Sequence, residues 1–156
     1  MFFIGWFVIS WVVWFIFADK KRWREIIPVC TFAGFLGATT DTIVTYYPVW
    51  EYKANGKETL MPYMLDDFGI YVVVVYLFIQ WLPEKKSFWR MIRYFFYWTA
   101  IAISIETIFL MTKHIEHIKW WKLWHSYAAD WFLFWLFYKY HKILRFNKLS
   151  DNTGTN

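Results

Sequence analysis

Five apolar runs separated by short charged segments constrain this chain more than anything else in it. They cover residues 1–18, 25–47, 63–82, 93–112 and 121–140. Even the shortest, "MFFIGWFVISWVVWFIFA", reaches about 27 Å at the helical rise, close to the thickness of a hydrocarbon core. The runs do not alternate apolar and polar residues, so a membrane β-barrel is set aside and the spans are read as helices. Proline placement agrees. Pro28 falls in the first turn of the second run, Pro48 just past its end, Pro62 before the third run and Pro83 at its close. A missing N–H does least harm at such positions. The expected fold is all-α: a polytopic membrane helix bundle with five transmembrane helices. It forms one integral membrane domain over residues 1–148, followed by a polar, disordered tail at 149–156. The first run is read as a span and not as a signal peptide, since it lacks a basic n-region and no A-x-A-like site precedes Asp19.

Composition supports a lipid setting. Of 156 residues, 59% are hydrophobic and 26% aromatic, with 13 tryptophans, more large rings than a soluble domain of this size can bury. The net charge of +5 does not point to nucleic acid, because the basic residues form short clusters between runs and no continuous stripe. Cys30 is the single cysteine, so no disulfide forms within the chain and a packing role is expected.

The basic clusters set orientation. Lys20, Lys21, Arg22 and Arg24 follow the first run; Lys85, Lys86, Arg90 and Arg93 follow the third; Lys139, Lys142, Arg145 and Lys148 end the chain. These three groups of four hold twelve of the 17 basic residues and share one side of a five-span protein. The opposite side carries Lys53, Lys57, Lys113, Lys119 and Lys122. By the positive-inside rule the N-terminus is outside and the C-terminus inside. Tyr46, Tyr47, Trp50, Trp120, Trp121 and Trp124 then mark an outer aromatic belt, and Trp23, Trp81, Trp89, Tyr138 and Tyr140 an inner one.

Depth bookkeeping places the acids. Asp41 lies roughly 9 Å below the rim at Tyr47, Glu106 about 10 Å below Lys113, and Asp130 about 9 Å below Trp124. Asp66 and Asp67 occupy the first outer turn of the third span, and His125 the rim of the fifth. Every intramembrane acid is therefore expected in the outer half, with no comparable acid in the inner halves. An acid near a span centre costs about 2.5–3.5 kcal/mol on insertion scales, so each should face the bundle interior. One face of the second span carries Gly34, Gly37, Ala38, Asp41 and Thr45. The glycines would admit a close neighbour, and Thr and Asp would supply hydrogen bonds. The fourth span shows Thr99, Ala102, Glu106 and Lys113 on one side, the fifth Ser126 and Asp130 four apart with Ala129 beside them. Three polar faces at matched depth would meet in one outward-opening pocket.

Asp41, Glu106, Asp130, His125, Ser126, Asp66 and Asp67 are thus the candidate ligand or cation pocket. Carboxylates suit divalent cations such as Mg²⁺, Ca²⁺ or Mn²⁺, and a histidine shifts preference toward Zn²⁺. Proton relay and an acidic mouth for an organic amine are further options. The favoured reading is a non-enzymatic membrane protein binding a cation or proton, as a sensor or accessory subunit. One alternative is a metal-dependent membrane hydrolase with Asp66, Asp67, Glu106 and His125 as ligands. The other is a structural or assembly partner whose acids only hold helices together. Besides the lipid bilayer, another membrane protein or a homo-oligomer is compatible with such a chain.

The loop "KHIEHIKWWKLWH" contains His114, Glu116 and His117, but H-x-E-H is no zinc signature and lysines interrupt it, so a solvated outer loop is expected. "EYKANGKE", with its Asn55-Gly56 turn signal, reads as an ordinary connection. There is no phosphate-binding glycine loop, no G-x-S-x-G, no H-E-x-x-H and no C-x-x-C. Ser104 and Ser126 stand in no nucleophile motif.

Three loose motifs run through residues 25–142: Tyr47-Pro48-Val49 after an apolar helix; Leu82-Pro83 before Lys85-Lys86; and Glu106 followed by Trp121 or Trp124 and then Ser126. In these the chain resembles a family of small integral membrane proteins from bacilli and clostridia. The resemblance implies a multi-pass protein of the bacterial cytoplasmic membrane and brings no activity with it.

Overall fold

The computed structural model describes residues 2–53, 60–84 and 87–151. It is a helical bundle closed at one end by a small β-ribbon. Helix α1 is Phe2–Phe17, α2 is Trp23–Tyr46, and a 3₁₀ turn at Lys20–Arg22 joins them. Strand β1 (Trp50–Tyr52) follows. The third rod is composite: α3 (Leu60–Leu65), a π-helical segment (Asp66–Tyr71) and α4 (Val72–Gln80). Helix α5 is Phe88–Met111, β2 is Ile115–His117, α6 is Leu123–Ile143 and α7 is Lys148–Asp151.

Three helical stretches are long and apolar enough to cross a membrane: Lys20–Tyr46, Met61–Gln80 and Phe88–Met111. Helix α1 is apolar but shorter. Helix α6 has the length but carries Asp130, Lys139, Lys142 and two histidines among its rings. Helices α2 and α5 start earlier than the sequence reading and take Arg24 and Arg90 into their first turns, whereas α6 starts later, at Leu123. Helix α2 begins at Trp23, which moves Pro28 out of the first turn and leaves the Arg24 carbonyl without its helical amide. Helix α7 reaches into the residues read as the tail, to Asp151, and packs against α2. Residues 152–156 and the Asn55-Gly56 turn lie outside the described residues.

Helix α4 is the axis of the core. Val75, Tyr76, Phe78 and Ile79 are fully buried, as expected of a helix apolar on every side. Ile26, Val29 and Ala33 of α2, Phe95 and Trp98 of α5, and Phe134 and Phe137 of α6 close around it. Ring contacts such as Phe78–Phe134 at 4.7 Å and Trp14–Tyr76 at 5.5 Å supply much of the packing. Between lipid-solvated helices, packing of this kind replaces the hydrophobic effect as the cohesive force. Tyr138, expected at the inner rim, is buried in this core.

Each end of the bundle has its own fastening. At the Gln80 end, the Gln80 side chain accepts from the Asp19 amide at 2.7 Å and donates to the Phe17 carbonyl at 2.8 Å, tying the α1–α2 turn to the end of α4. At the other end, β1 and β2 pair antiparallel with Trp50 opposite His117 and Tyr52 opposite Ile115. The two loops read as separate connections therefore form one ribbon, with Lys53 and Glu116 paired on its open face. Helix α5 reaches the ribbon through a Schellman turn. The His114 and Lys113 amides bond the Phe109 and Leu110 carbonyls, with Lys113 in the left-handed region at φ 58°.

Candidate functional site

Beneath the ribbon lies a cavity of about 400 Å³. Asp41 comes to it from α2, Asp66 and Asp67 from the π segment, Glu106 from α5, and Ser126 and Asp130 from α6. The π segment matters because its wider turn departs from the α-helical spacing where these two acids stand. Asp66 accepts a hydrogen bond from the Tyr52 hydroxyl at 2.5 Å. Asp67 instead turns toward α2, where its carboxyl is hydrogen-bonded to that of Asp41. Gly37 makes room for this, because a Cβ there would collide with the Asp67 carboxyl.

The opposite wall is a relay. Trp121 Nε1 donates to Ser126 Oγ at 2.9 Å, and Ser126 Oγ donates to Glu106 Oε1 at 2.7 Å. His117 Nε2 lies 2.7 Å from the same Glu106 oxygen. The carboxyl thus stands between hydroxyl and imidazole. That is not the order in which an imidazole takes a serine proton for nucleophilic attack. Asp130 lines the cavity with no hydrogen-bond donor among the described residues, its carboxyl near enough to those of Glu106 and Asp66 to interact with them. Tyr52, 7% exposed, closes the roof; burial and then the neighbouring acids push its phenol well above the ordinary tyrosine value, so it remains a donor to Asp66.

Six of the seven side chains expected at the pocket line this one cavity. His125 does not. Its Nδ1 accepts the Lys122 amide at 3.0 Å and caps the start of α6, and its ring packs 3.5 Å from that of Trp124. The quartet Asp66, Asp67, Glu106 and His125 consequently has no common centre. Among the described residues no group of three or more His, Cys, Asp or Glu side chains is disposed to hold a metal ion.

Other expectations also give way. Thr39, Thr42 and Thr45 bond the carbonyls four residues back in α2, Thr45 that of Asp41 itself, as helical threonines commonly do, and donate nothing to the Asp41 carboxyl. Gly34, though buried, is not a point of close approach, since nothing beyond its own stretch of helix lies within 4 Å of where its Cβ would stand. The H-x-E-H loop is not wholly solvated: His117 reaches Glu106, and His114 stacks on Phe2 at 3.6 Å.

The assignment of all buried acids to one end also fails. Glu25, 1% exposed, lies near the Gln80 end, where Arg22 binds it through two nitrogens at 2.8 and 2.9 Å. His141, 3% exposed, reaches it at 2.8 Å from α6. The clue in the sequence is an acid three residues from an arginine at a helix start. Its partner 116 residues away leaves no local signal.

No protein-family model, curated protein or solved structure matches this chain.

Proposed function

We propose that this is a multi-pass membrane protein whose cavity opens outward and binds a cation, serving as a sensor or accessory subunit rather than a catalyst. One observation carries the reading. Five carboxyls line a single cavity, among the described residues no lysine or arginine lines it, and His117 reaches Glu106 but none of the other four. So many acids in a low-dielectric space cannot all be charged without a counter-ion, and protons or a bound cation must supply the balance. The five divide by role. Asp66 and Glu106 are held by Tyr52, Ser126 and His117 and form the frame. Asp41, Asp67 and Asp130 have no such donors among the described residues and are the ligand-facing set.

The five-span arrangement, with the N-terminus outside and the C-terminus inside, belongs to the same proposal. Helix α1 supports it: Phe3 packs at Tyr52 by the ribbon, and Phe17 meets Gln80 at the far end, so 16 residues run alongside the whole α3–α4 rod. Helix α6 likewise runs from Glu106 at one end to Glu25 at the other. The resemblance to small membrane proteins of bacilli and clostridia favours a bacterial cytoplasmic membrane as the setting.

The test is thermal unfolding of the purified protein in neutral maltoside, with tetramethylammonium, Na⁺ or Ca²⁺ added at constant ionic strength. A ligand at 100 times its dissociation constant stabilises by about 2.7 kcal/mol, a readily measured shift. At least one cation should raise the midpoint of the parent protein and leave an Asp41→Asn/Asp67→Asn variant unmoved. Equal responses of the two proteins to every cation would overturn the reading.

A further inference from the structure

The walls of the cavity and its side opening narrow the class of cation. We propose that the ligand is a phosphate-free amphiphilic ammonium, a positively charged nitrogen on a hydrocarbon chain, entering from the bilayer between α2 and α6. This rests on the cation-binding reading above.

The first argument is size and chemistry. A space of about 400 Å³ is an order of magnitude larger than the roughly 30 Å³ share of one water, and far larger than a bare metal ion needs. Its walls are largely rings and aliphatic chains, among them Trp50, Tyr71, Trp121, Phe134 and Phe137. Aromatic faces attract ammonium groups, and the same surface accepts alkyl chains without desolvating anything polar. Among the described residues the Asp67 carboxyl, on a residue 8% exposed, is hydrogen-bonded only to Asp41, so its most economical further partner is a donor carried in by the ligand.

The second argument is the seam. Helices α2 and α6 are pinned together at one end by Glu25 and His141 and by the Phe32–Tyr140 stack at 4.3 Å. Toward the ribbon they present Thr40 and Phe132. Both line the cavity, and both are exposed on the side of the bundle, Phe132 by 58%. The cavity therefore reaches the lateral surface between these helices, where a membrane would supply hydrocarbon. A hydrocarbon chain can lie along this seam while its charged end reaches Asp41, Asp67 and Asp130. Among the described residues the lining contains no basic side chain to receive a phosphate. That favours a simple amine over a zwitterionic phospholipid.

Dodecyltrimethylammonium and tetramethylammonium share a head group and differ in the chain, so they separate the two halves of the inference. Tryptophan fluorescence of the full chain in neutral maltoside or in nanodiscs reads binding, because Trp50 and Trp121 stand in the wall. The long-chain compound should bind at least ten times tighter than the short one. Thr40→Trp, at the seam, should reduce binding of the long-chain compound tenfold and spare the short one. Phosphatidylethanolamine in the nanodisc should compete no better than phosphatidylcholine. Equal affinity for the two ammonium compounds overturns the amphiphile while leaving the cation reading standing. Binding of Ca²⁺ alone overturns the ammonium in the same way. Competition specific to phosphatidylethanolamine overturns the phosphate-free assignment. Circular dichroism and unfolding midpoints of the variants establish that lost binding is not lost folding.

Discussion

Gly34 and Gly37 lie one turn apart on α2 and have opposite duties. Around Gly34 there is room, with nothing within 4 Å of the position a methyl group would take, whereas at Gly37 a methyl group would strike the Asp67 carboxyl. Glycine inside a helix costs about 0.5–1 kcal/mol relative to alanine. Gly34→Ala should therefore hold or raise the thermal midpoint. Gly37→Ala gains the same helical preference but displaces the Asp67 carboxyl from Asp41. The fold should survive, because the struck atoms are the end of a side chain, while cation binding falls at least tenfold. Melting and ligand titration of the two variants side by side test this contrast, and similar binding by both would contradict the assigned role of Gly37. The pair also marks what single residues reveal. That Asp41 needs company is legible from its apolar surroundings. Which glycine accommodates that company depends on the turn taken by the π segment on a different rod.

At the scale of elements, the least legible feature is the fastening between α2 and α6. Glu25 and His141 stand 116 residues apart, and each looks by itself like a polar residue near a helix terminus. In the fold both are almost fully buried, with Arg22 completing the cluster and the Nδ1 of His141 lacking a partner among the described residues. Removing one member of a buried pair leaves the other uncompensated, at a cost of about 3–5 kcal/mol. Arg22 still holds Glu25, so His141→Ala should destabilise by about 3 kcal/mol, near the lower end of that range. It should also loosen the α2–α6 seam from its closed end. The checks are the thermal midpoint and hydrogen exchange at the C-terminal turns of α6. A midpoint within about 1 °C of the parent, where 3 kcal/mol would move it several degrees, would show that the pin contributes little. The ribbon is hidden for a similar reason: "VWEYK" and "KHIEHIK" are too short and too polar to announce strands, and pair only because α2 and α5 deliver them side by side.

Across the whole molecule, local hydropathy reveals the rods and their approximate ends, because lipid-like burial demands long apolar helices wherever they pack. It also brings the acids of the cavity to one level of the bundle, since position along each rod follows from helical rise alone. It does not reveal partner choice, which depends on rotation of each rod about its axis. Thus the sequence directs His125 to the pocket, whereas in the fold it caps α6, and leaves His117 to solvent, whereas in the fold it meets Glu106. The five-rod arrangement makes one further demand. If α1 and α6 cross the membrane, the ribbon and the Lys20–Arg22 turn face opposite sides. In a Cys30→Ser background, single cysteines at Lys53 and Lys119 should react with an impermeant maleimide on intact cells. Cysteines at Lys20 and Lys148 should react only after permeabilisation. An N-terminally appended cysteine should behave like Lys53. Matching reactivity of positions 119 and 148 would remove α6 from the membrane and turn the seam toward water. Matching reactivity of the appended cysteine and position 20 would do the same for α1. Reversal of the whole pattern would keep five spans while opening the acidic cavity to the cytoplasm, so the pattern of labelled positions decides which face of the membrane supplies the cation.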